Sequence, residues 1–145
     1  MRILIDADGC PVVNITIRIA TAQKIDCIIL CDTSHYFERE GATTVTVSKG
    51  ADSVDFVLVN MVHTGDIVIT QDYGLAAMCL ARKAIPISQD GMVYTDDNIG
   101  ALLEQRAMAQ KMRRAGERLN GPPKRTAEQN SDFAYKLNAI IGTGG

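Results

Sequence analysis

What this 145-residue chain lacks narrows its chemistry before any motif is considered. No window approaches the roughly 20 uninterrupted apolar residues of a membrane helix. The amino terminus turns acidic by Asp6 and has no apolar core of the kind a secretory leader needs. The expectation is a cytoplasmic protein without membrane contact. There is no GxGxxG fingerprint and no GxxxxGK[ST] loop, so dinucleotide binding and P-loop chemistry lose their sequence basis. No Gly-x-Ser-x-Gly elbow is present, and the two histidines, His35 and His63, have no obvious nucleophile partners. Internal repeats and low-complexity tracts are missing as well.

Zinc is disfavoured for a similar reason. Cys10, Cys27, Cys31 and Cys79 match no zinc spacing: Cys27 and Cys31 have no second close pair, and neither histidine falls in a ligand register. Buried, inert thiols are the expected role. Cys10 is the exception, because it precedes Pro11 at an expected helix start, where a thiolate is favoured.

What is present is an ordinary globular composition, 46% apolar and 22% charged, in a chain long enough for one domain with a sizeable core. The net charge is only −2, yet it is unevenly placed. Between Arg106 and Arg125 lie Arg106, Lys111, Arg113, Arg114, Arg118, Lys124 and Arg125, opposed by Glu117 alone. An acidic body carrying one basic segment suggests a cation site beside a phosphate-attracting arm, although a solvated helix and loop produce the same charge pattern.

Strands and helices alternate. Arg2–Asp6 reads as a strand, followed by a helix opening at Pro11 and running through Ile15, Ile19 and Ala22 to about Lys24. Asp26–Leu30 and the β-branched Thr43–Val47 read as the next strands. A helix from Asp52 or Ser53 carries Val54, Val57, Leu58 and Met61 on one stripe. Ile67–Thr70 is a fourth strand, a helix with Leu75, Met78 and Cys79 on its buried side follows, and Ala84–Ser88 is a fifth. Met92–Tyr94 is a candidate small addition. A helix from about Asp97 carries Ile99, Leu102 and Leu103 into the basic segment. Gly121-Pro122-Pro123 interrupts the chain, and a last helix, about Thr126 to Ile141, places Phe133, Leu137 and Ile140/Ile141 at helical spacing. Strands separated by helices give right-handed parallel βαβ units, hence a three-layer α/β/α sandwich. The division is residues 1–120 as the α/β body and 121–145 as a Pro-broken C-terminal helix packed on or beside it, one domain overall.

The acids carry the functional signal. Ile3-Leu4-Ile5 ends at Asp6-Ala7-Asp8, and Ile67-Val68-Ile69-Thr70-Gln71 ends at Asp72. A strand buried on both faces stays apolar until it emerges, and in open α/β sheets ligands bind where the carboxyl ends emerge. If the first and fourth strands are neighbours, Asp6 and Asp72 lie side by side. Asp52 and Asp55 open the helix after the third strand, on the same edge, and sit three apart on one face. Each of those two taken alone is an ordinary helix-start acid. Asp32, Asp66, Asp90 and Asp96 read as turn or cap residues. Asp6, Asp8, Asp52, Asp55 and Asp72 form an all-oxygen set that suits Mg²⁺ or Mn²⁺ better than zinc. Such an ion polarises a phosphoryl oxygen and activates water.

Asp6-Ala7-Asp8-Gly9-Cys10-Pro11-Val12, Gly50-Ala51-Asp52-Ser53-Val54-Asp55 and Gly65 through Ala76 resemble the uncharacterised bacterial YaiI/YqxD family. So do Gly91–Thr95, Asn98-Ile99, Arg106 and Gly121-Pro122-Pro123-Lys124, which extends the resemblance over nearly the whole chain. That family is similar to the PIN-domain superfamily of metal-dependent nucleases. The resemblance implies a sheet of order 3-2-1-4-5 and an acidic pocket in which Asp6, Asp52 or Asp55, and Asp72 hold the ion and Thr70 supplies a supporting hydroxyl. It also implies a glutamate from an intervening helix, for which this sequence has no clear counterpart. Asp8 is the substitute, with Glu38 and Glu40 as weaker candidates.

The expected function is therefore a PIN-like phosphodiester hydrolase using Mg²⁺ or Mn²⁺, with single-stranded RNA the expected substrate. Asp6, Asp8 and Asp72 are the expected catalytic acids. Lys111, Arg113, Arg114, Lys124 and Arg125 are the expected phosphate contacts, which position a strand without reading its sequence. Two rivals stand beside this. A haloacid-dehalogenase-type phosphatase also uses Asp-x-Asp after an apolar strand, but Cys10-Pro11 and the position of Gly65-Asp66 depart from its pattern. A metal-supported nucleic-acid or partner-binding module without turnover fits the same basic arm.

Overall fold

Alternation along each strand decides which layer a side chain enters. In a strand, successive side chains point to opposite faces, so a strand covered on both sides must be apolar at every position. β1 (Arg2–Asp6) obeys this: Ile3 and Ile5 enter one apolar cluster and Leu4 the other, all fully buried. β4 (Ile67–Ile69) repeats it, with Ile67 and Ile69 on the first side and Val68 on the second. The computed structural model describes residues 1–33, 38–48, 53–116 and 124–144.

With β2 (Asp26–Asp32), β3 (Thr43–Val47) and β5 (Ile85–Ile87), these strands form a five-stranded parallel sheet of order β3-β2-β1-β4-β5. The expected topology holds. β1 is central, pairing Ile5 with Ile29 of β2 and with Ile69 of β4. Pro86 has no N–H to donate and sits on the edge strand β5, where a missing donor is tolerated. Its carbonyl accepts the Tyr94 N–H at 3.0 Å, and Val93 bridges Ile87 antiparallel, so the expected addition at 92–94 is a single bridge.

α1 (Val13–Gln23) and α5 (Ala127–Gly144) cover one face, where Val13, Ile17 and Ala20 meet Phe133, Leu137 and Ile141 over Ile3, Ile5 and Ile29. α2 (Val54–Met61) and α3 (Tyr73–Ala81) cover the other, packing Leu58, Leu75 and Cys79 on Leu4 and Val68. α4 (Ile99–Arg114) lies beside α3 and buries none of its residues fully. This is the three-layer α/β/α sandwich. None of the described helices is long and apolar enough to cross a membrane.

Several local expectations are corrected. α1 begins at Val13 because Cys10 N–H closes a turn onto Ala7 O and Val12, at φ −112° and ψ 17°, is the non-helical cap. Its buried side is Val13, Thr16, Ile17 and Ala20; Ile15 and Ile19 are half-buried and Ala22 is exposed. Met78 stays 43% exposed, since α3 buries Leu75, Ala76 and Cys79 and Met78 falls at the rim of that stripe. Asp66 is more than a turn residue. It is buried, and it accepts bonds from Arg2 N (3.1 Å), Arg2 Nε (3.2 Å), Arg2 Nη2 (2.8 Å) and His63 N (2.9 Å). Arg2 Nη2 also donates to Met61 O at 2.8 Å, tying the start of β1 to the segment entering β4.

Candidate active site

β1 and β4 run parallel and in register, so both deliver their first polar residues to the same edge. Asp6 follows Ile5 and Thr70 follows Ile69, which puts them opposite each other across the pair. Thr70 Oγ1 donates to Asp6 Oδ2 at 2.9 Å and accepts the Asp72 N–H at 3.0 Å. Thr70 itself is 2% exposed, and its backbone carbonyl accepts the Tyr94 hydroxyl at 3.1 Å. One threonine hydroxyl thus links the two strand-borne acids.

Asp72 is the N-cap of α3. Its Oδ1 accepts the N–H groups of Gly74 (2.9 Å) and Leu75 (3.1 Å), and Arg106 Nη1 donates to the same oxygen at 3.2 Å. A cap of this kind satisfies donors that the first helical turn leaves open. Asp55 arrives from the first turn of α2, after the Ser53 cap whose hydroxyl accepts the Phe56 N–H. Its carboxyl lies within hydrogen-bonding reach of Asp72.

The electrostatics divide these acids. Burial raises the Asp6 pKa, Thr70 lowers it, and the charges of Asp72 and Asp8 raise it further; the net shift is upward. Asp55 is pushed up to about 6 by burial, by the charges of Asp72 and Asp6 and by its hydrogen bond with Asp72, against the opposing effect of Arg106. Burial works against the Asp72 charge too, but the Leu75 N–H, Arg106, Asp55 and the Gly74 N–H hold it below the usual range. Asp72 keeps its charge while Asp55 retains a proton most readily, as expected when carboxyls crowd together.

An open cavity of about 650 Å³ lies over this edge. Asp6, Asp8, Thr70 and Asp72 line one side, and Arg106, Gln110 and Arg113 of α4 line another. α4 is set at this height by Asn98, whose Nδ2 donates to Val93 O at 2.9 Å while its Oδ1 accepts the Thr95 N–H at 2.9 Å.

The structure therefore brings Asp6, Asp8, Thr70 and Asp72 into one cavity lining with Arg113, while Asp55 lies beside Asp72 without lining the cavity. Asp52 lies outside the described residues, as does the Gly121–Pro123 break. Lys111 and Arg114 are exposed at the end of α4, where positive charge also favours the helix dipole, and they do not line the cavity; nor does the exposed Lys124. Arg125 is committed elsewhere. It pairs with Asp90 at 2.8 Å and donates to Gln89 O (2.6 Å) and Asn130 Oδ1 (2.6 Å), fastening the start of α5 to the turn after β5. Glu38 and Glu40 are exposed and outside the cavity lining. The Cys10 thiol lines the cavity, but burial pushes its pKa up and outweighs the Val12 N–H, so it is a thiol and not the thiolate expected at a helix start. Cys27, Cys31 and Cys79 are buried and free, as expected.

Residues that sequence reading left out of the site are Arg106 and Tyr94. The family resemblance singles out Arg106 but gives it no role, since its pairing with Asp72 depends on where α4 lies. Tyr94 needed the β5 edge to bring its hydroxyl under Thr70.

Residues 4–143 match the family described as "Uncharacterized BCR, YaiI/YqxD family". The chain belongs to the YaiI/YqxD family. A UPF0178 protein of Exiguobacterium sibiricum is 50% identical over 141 residues, covering 97% of this chain and 96% of its own. A UPF0178 protein of Clostridium acetobutylicum is 44% identical over 146 residues, 99% of each chain, and one from Ruminiclostridium cellulolyticum is 47% identical over 141 residues, covering 97% and 92%. No solved structure matches the chain. The YaiI/YqxD match runs from within β1 to within α5, so Asp6, Asp72 and α4 all lie inside it.

Proposed function

We propose that this protein is a divalent-cation-dependent phosphodiester hydrolase acting on a nucleic-acid strand, with RNA the expected polymer. The observation that carries the reading is the meeting of Asp6, Asp55 and Asp72, from three separate elements, beside a cavity that Arg106 and Arg113 also line. Acids that raise one another's pKa are costly to hold together, and a cation relieves that cost.

The donor chemistry fits Mg²⁺ or Mn²⁺, being all carboxylate and hydroxyl oxygen. The acids are not preassembled: among the described residues, no group of three His, Cys, Asp or Glu side chains is arranged to hold a metal ion. Asp6, Asp72 and Asp55 are the residues that would hold it. When bound, such an ion supplies charge stabilisation for the phosphoryl oxygens and a more acidic water. The chain's own contributions are distinct. Thr70 fixes the Asp6 carboxylate, Asp8 stands at the cavity wall to orient water, and Arg113 faces an incoming phosphate.

A second reading, a nucleic-acid-binding module without turnover, is favoured by the Arg106–Asp72 pair, which already balances part of the acidic charge. The phosphatase alternative loses support. Asp66 sits at the amino ends of β1 and β4, locked to Arg2, on the edge opposite Asp6 and Asp72.

The test is incubation of purified protein with mixed single-stranded RNA and DNA in Mn²⁺, Mg²⁺ or EDTA, beside a folded Asp6→Asn/Asp72→Asn variant. Metal-dependent cleavage that vanishes in the variant supports the hydrolase. Binding without cleavage in every metal supports the binding module.

A further inference from the structure

One side of α4 serves the cavity over the acidic edge, through Arg106 and Arg113. Another side carries Ala101, Gln105, Met108 and Met112, spaced four, three and four residues apart, and these line a separate groove of about 440 Å³. Such spacing draws a narrow seam along a helix, the pattern by which one helix packs on another. Among the described residues only α4 lines that groove. Met108 is 60% exposed, Ala101 and Gln105 are exposed, and Met112 is half-buried. Contiguous apolar surface left open on a folded domain marks an interaction face.

The charges beside the seam identify what covers it. Glu104 and Lys111 stand two turns apart on one flank of the seam, both exposed, and neither has an ion-pair partner among the described residues. Seven residues of rise, about 10 Å, keep them from pairing with each other. We propose that α4 is a self-complementary docking face, on which a second copy of this chain lays its own α4 antiparallel. With the two-fold axis passing between Gln105 and Met108, Gln105 meets Met108 of the second copy and Ala101 meets its Met112. The same register sets Glu104 beside Lys111 of the second copy, and the symmetry repeats that pair, as an isologous contact requires. Asp96 and Asp97, exposed just before α4, then lie at the end of the second α4 that carries Arg113 and Arg114. A parallel pairing would instead set the two basic ends side by side, at a cost in like-charge repulsion. One helix, about 24 Å long, covers less than the roughly 800 Å² per partner of a standard stable interface. The dimer is therefore weak, with a Kd of about 10–500 μM. It stands independently of the proposed hydrolase.

The experiment is sedimentation equilibrium of the full chain up to 1 mM, comparing wild type, Met108→Glu, Glu104→Lys, Lys111→Glu and the double reversal Glu104→Lys/Lys111→Glu. All three positions are exposed, so each variant is expected to fold, and melting curves verify it. Wild type should dimerise, and Met108→Glu should weaken the dimer at least tenfold by setting a charge in the seam. Each single reversal replaces two exposed ion pairs with two repulsive contacts and should weaken it about fivefold to thirtyfold. The double reversal restores the pairs with their signs exchanged and should return to near the wild-type affinity. A wild type that stays monomeric at 1 mM overturns the proposal, as does a dimer that Met108→Glu leaves unchanged. A double reversal as weak as the single ones overturns the antiparallel register.

Discussion

The two ends of the β1–β4 pair each carry a buried or half-buried aspartate matched with an arginine, and the two behave in opposite ways. At the amino end, Asp66 faces Arg2 with a 3% exposed side chain, and among the described residues Arg2 and the His63 N–H are its donors. Burial raises its pKa, but the Arg2 guanidinium and the His63 and Arg2 N–H groups more than offset this, leaving it below the usual range. At the carboxyl end, Asp72 and Asp55 share Arg106, and the carboxylates crowd so that Asp6 and Asp55 are raised while Asp72 is held below the usual range. The first end is a satisfied structural tie. The second holds more negative charge than its own cation balances, which is the condition expected of a site that awaits a ligand.

Neutralising each end should therefore fail differently. The largest effect is expected on chemistry: Asp6→Asn/Asp72→Asn lowers cleavage by about a hundredfold to ten-thousandfold, the range for losing positioned acid-base or charge stabilisation. Its melting temperature should change little, because Asn also caps α3. Removing the amino-end tie should do the reverse. Asp66→Ala leaves Arg2 partly buried without its carboxylate and costs about 3 kcal/mol in urea unfolding, with metal affinity unchanged in the fraction that remains folded. A loss of activity in Asp66→Ala at full folding would erase the distinction between the ends.

Thr70→Val tests how the carboxyl end is built. The variant keeps shape but removes the donor to Asp6 and the acceptor of the Asp72 N–H, at a cost of about 1–3 kcal/mol, with Thr70→Ser restoring both stability and metal binding. Restoration of stability alone would assign the hydroxyl to the fold.

The smallest effect is a dependence on pH, and its sign differs between the ends. Asp66 has a lowered folded pKa, so its contribution is present above the unfolded value near 4 and is lost as pH falls through the folded value. Asp55 is raised to about 6, so the folded state holds a proton there that the unfolded chain has released, and stability declines as pH rises from about 4 to about 6. Asp55→Asn should remove that decline and gain about 1 kcal/mol at pH 7, after allowance for solvent screening, with no gain at pH 4. A gain of equal size at both values would point to packing instead of charge.

Sequence and structure agree most closely where the physics is local. The β1 and β3 boundaries follow directly from apolar or β-branched runs, and Phe133, Leu137 and Ile141 of α5 are buried at the spacing their pattern implies. They diverge where a residue's role depends on a distant partner. Asp66 looked like any acid after a glycine, and only the arrival of Arg2 from 64 positions away made it a buried tie. Cys10 looked activated by a helix start, but the helix begins three residues later and burial dominates. Arg125 looked available to phosphate until Asp90, Gln89 and Asn130 enclosed it.

By itself the sequence determined the alternation of strands and helices, the layers their apolar faces must cover, and the points at which Asp6 and Asp72 emerge, because each of these is set by periodicity over neighbouring residues. Tertiary structure alone decided which carboxyls share a field, which arginine balances Asp72 and which stays open to the cavity. Those are distances between elements far apart in the chain, and a charge acquires its function from what stands a few ångströms away, not from what precedes it.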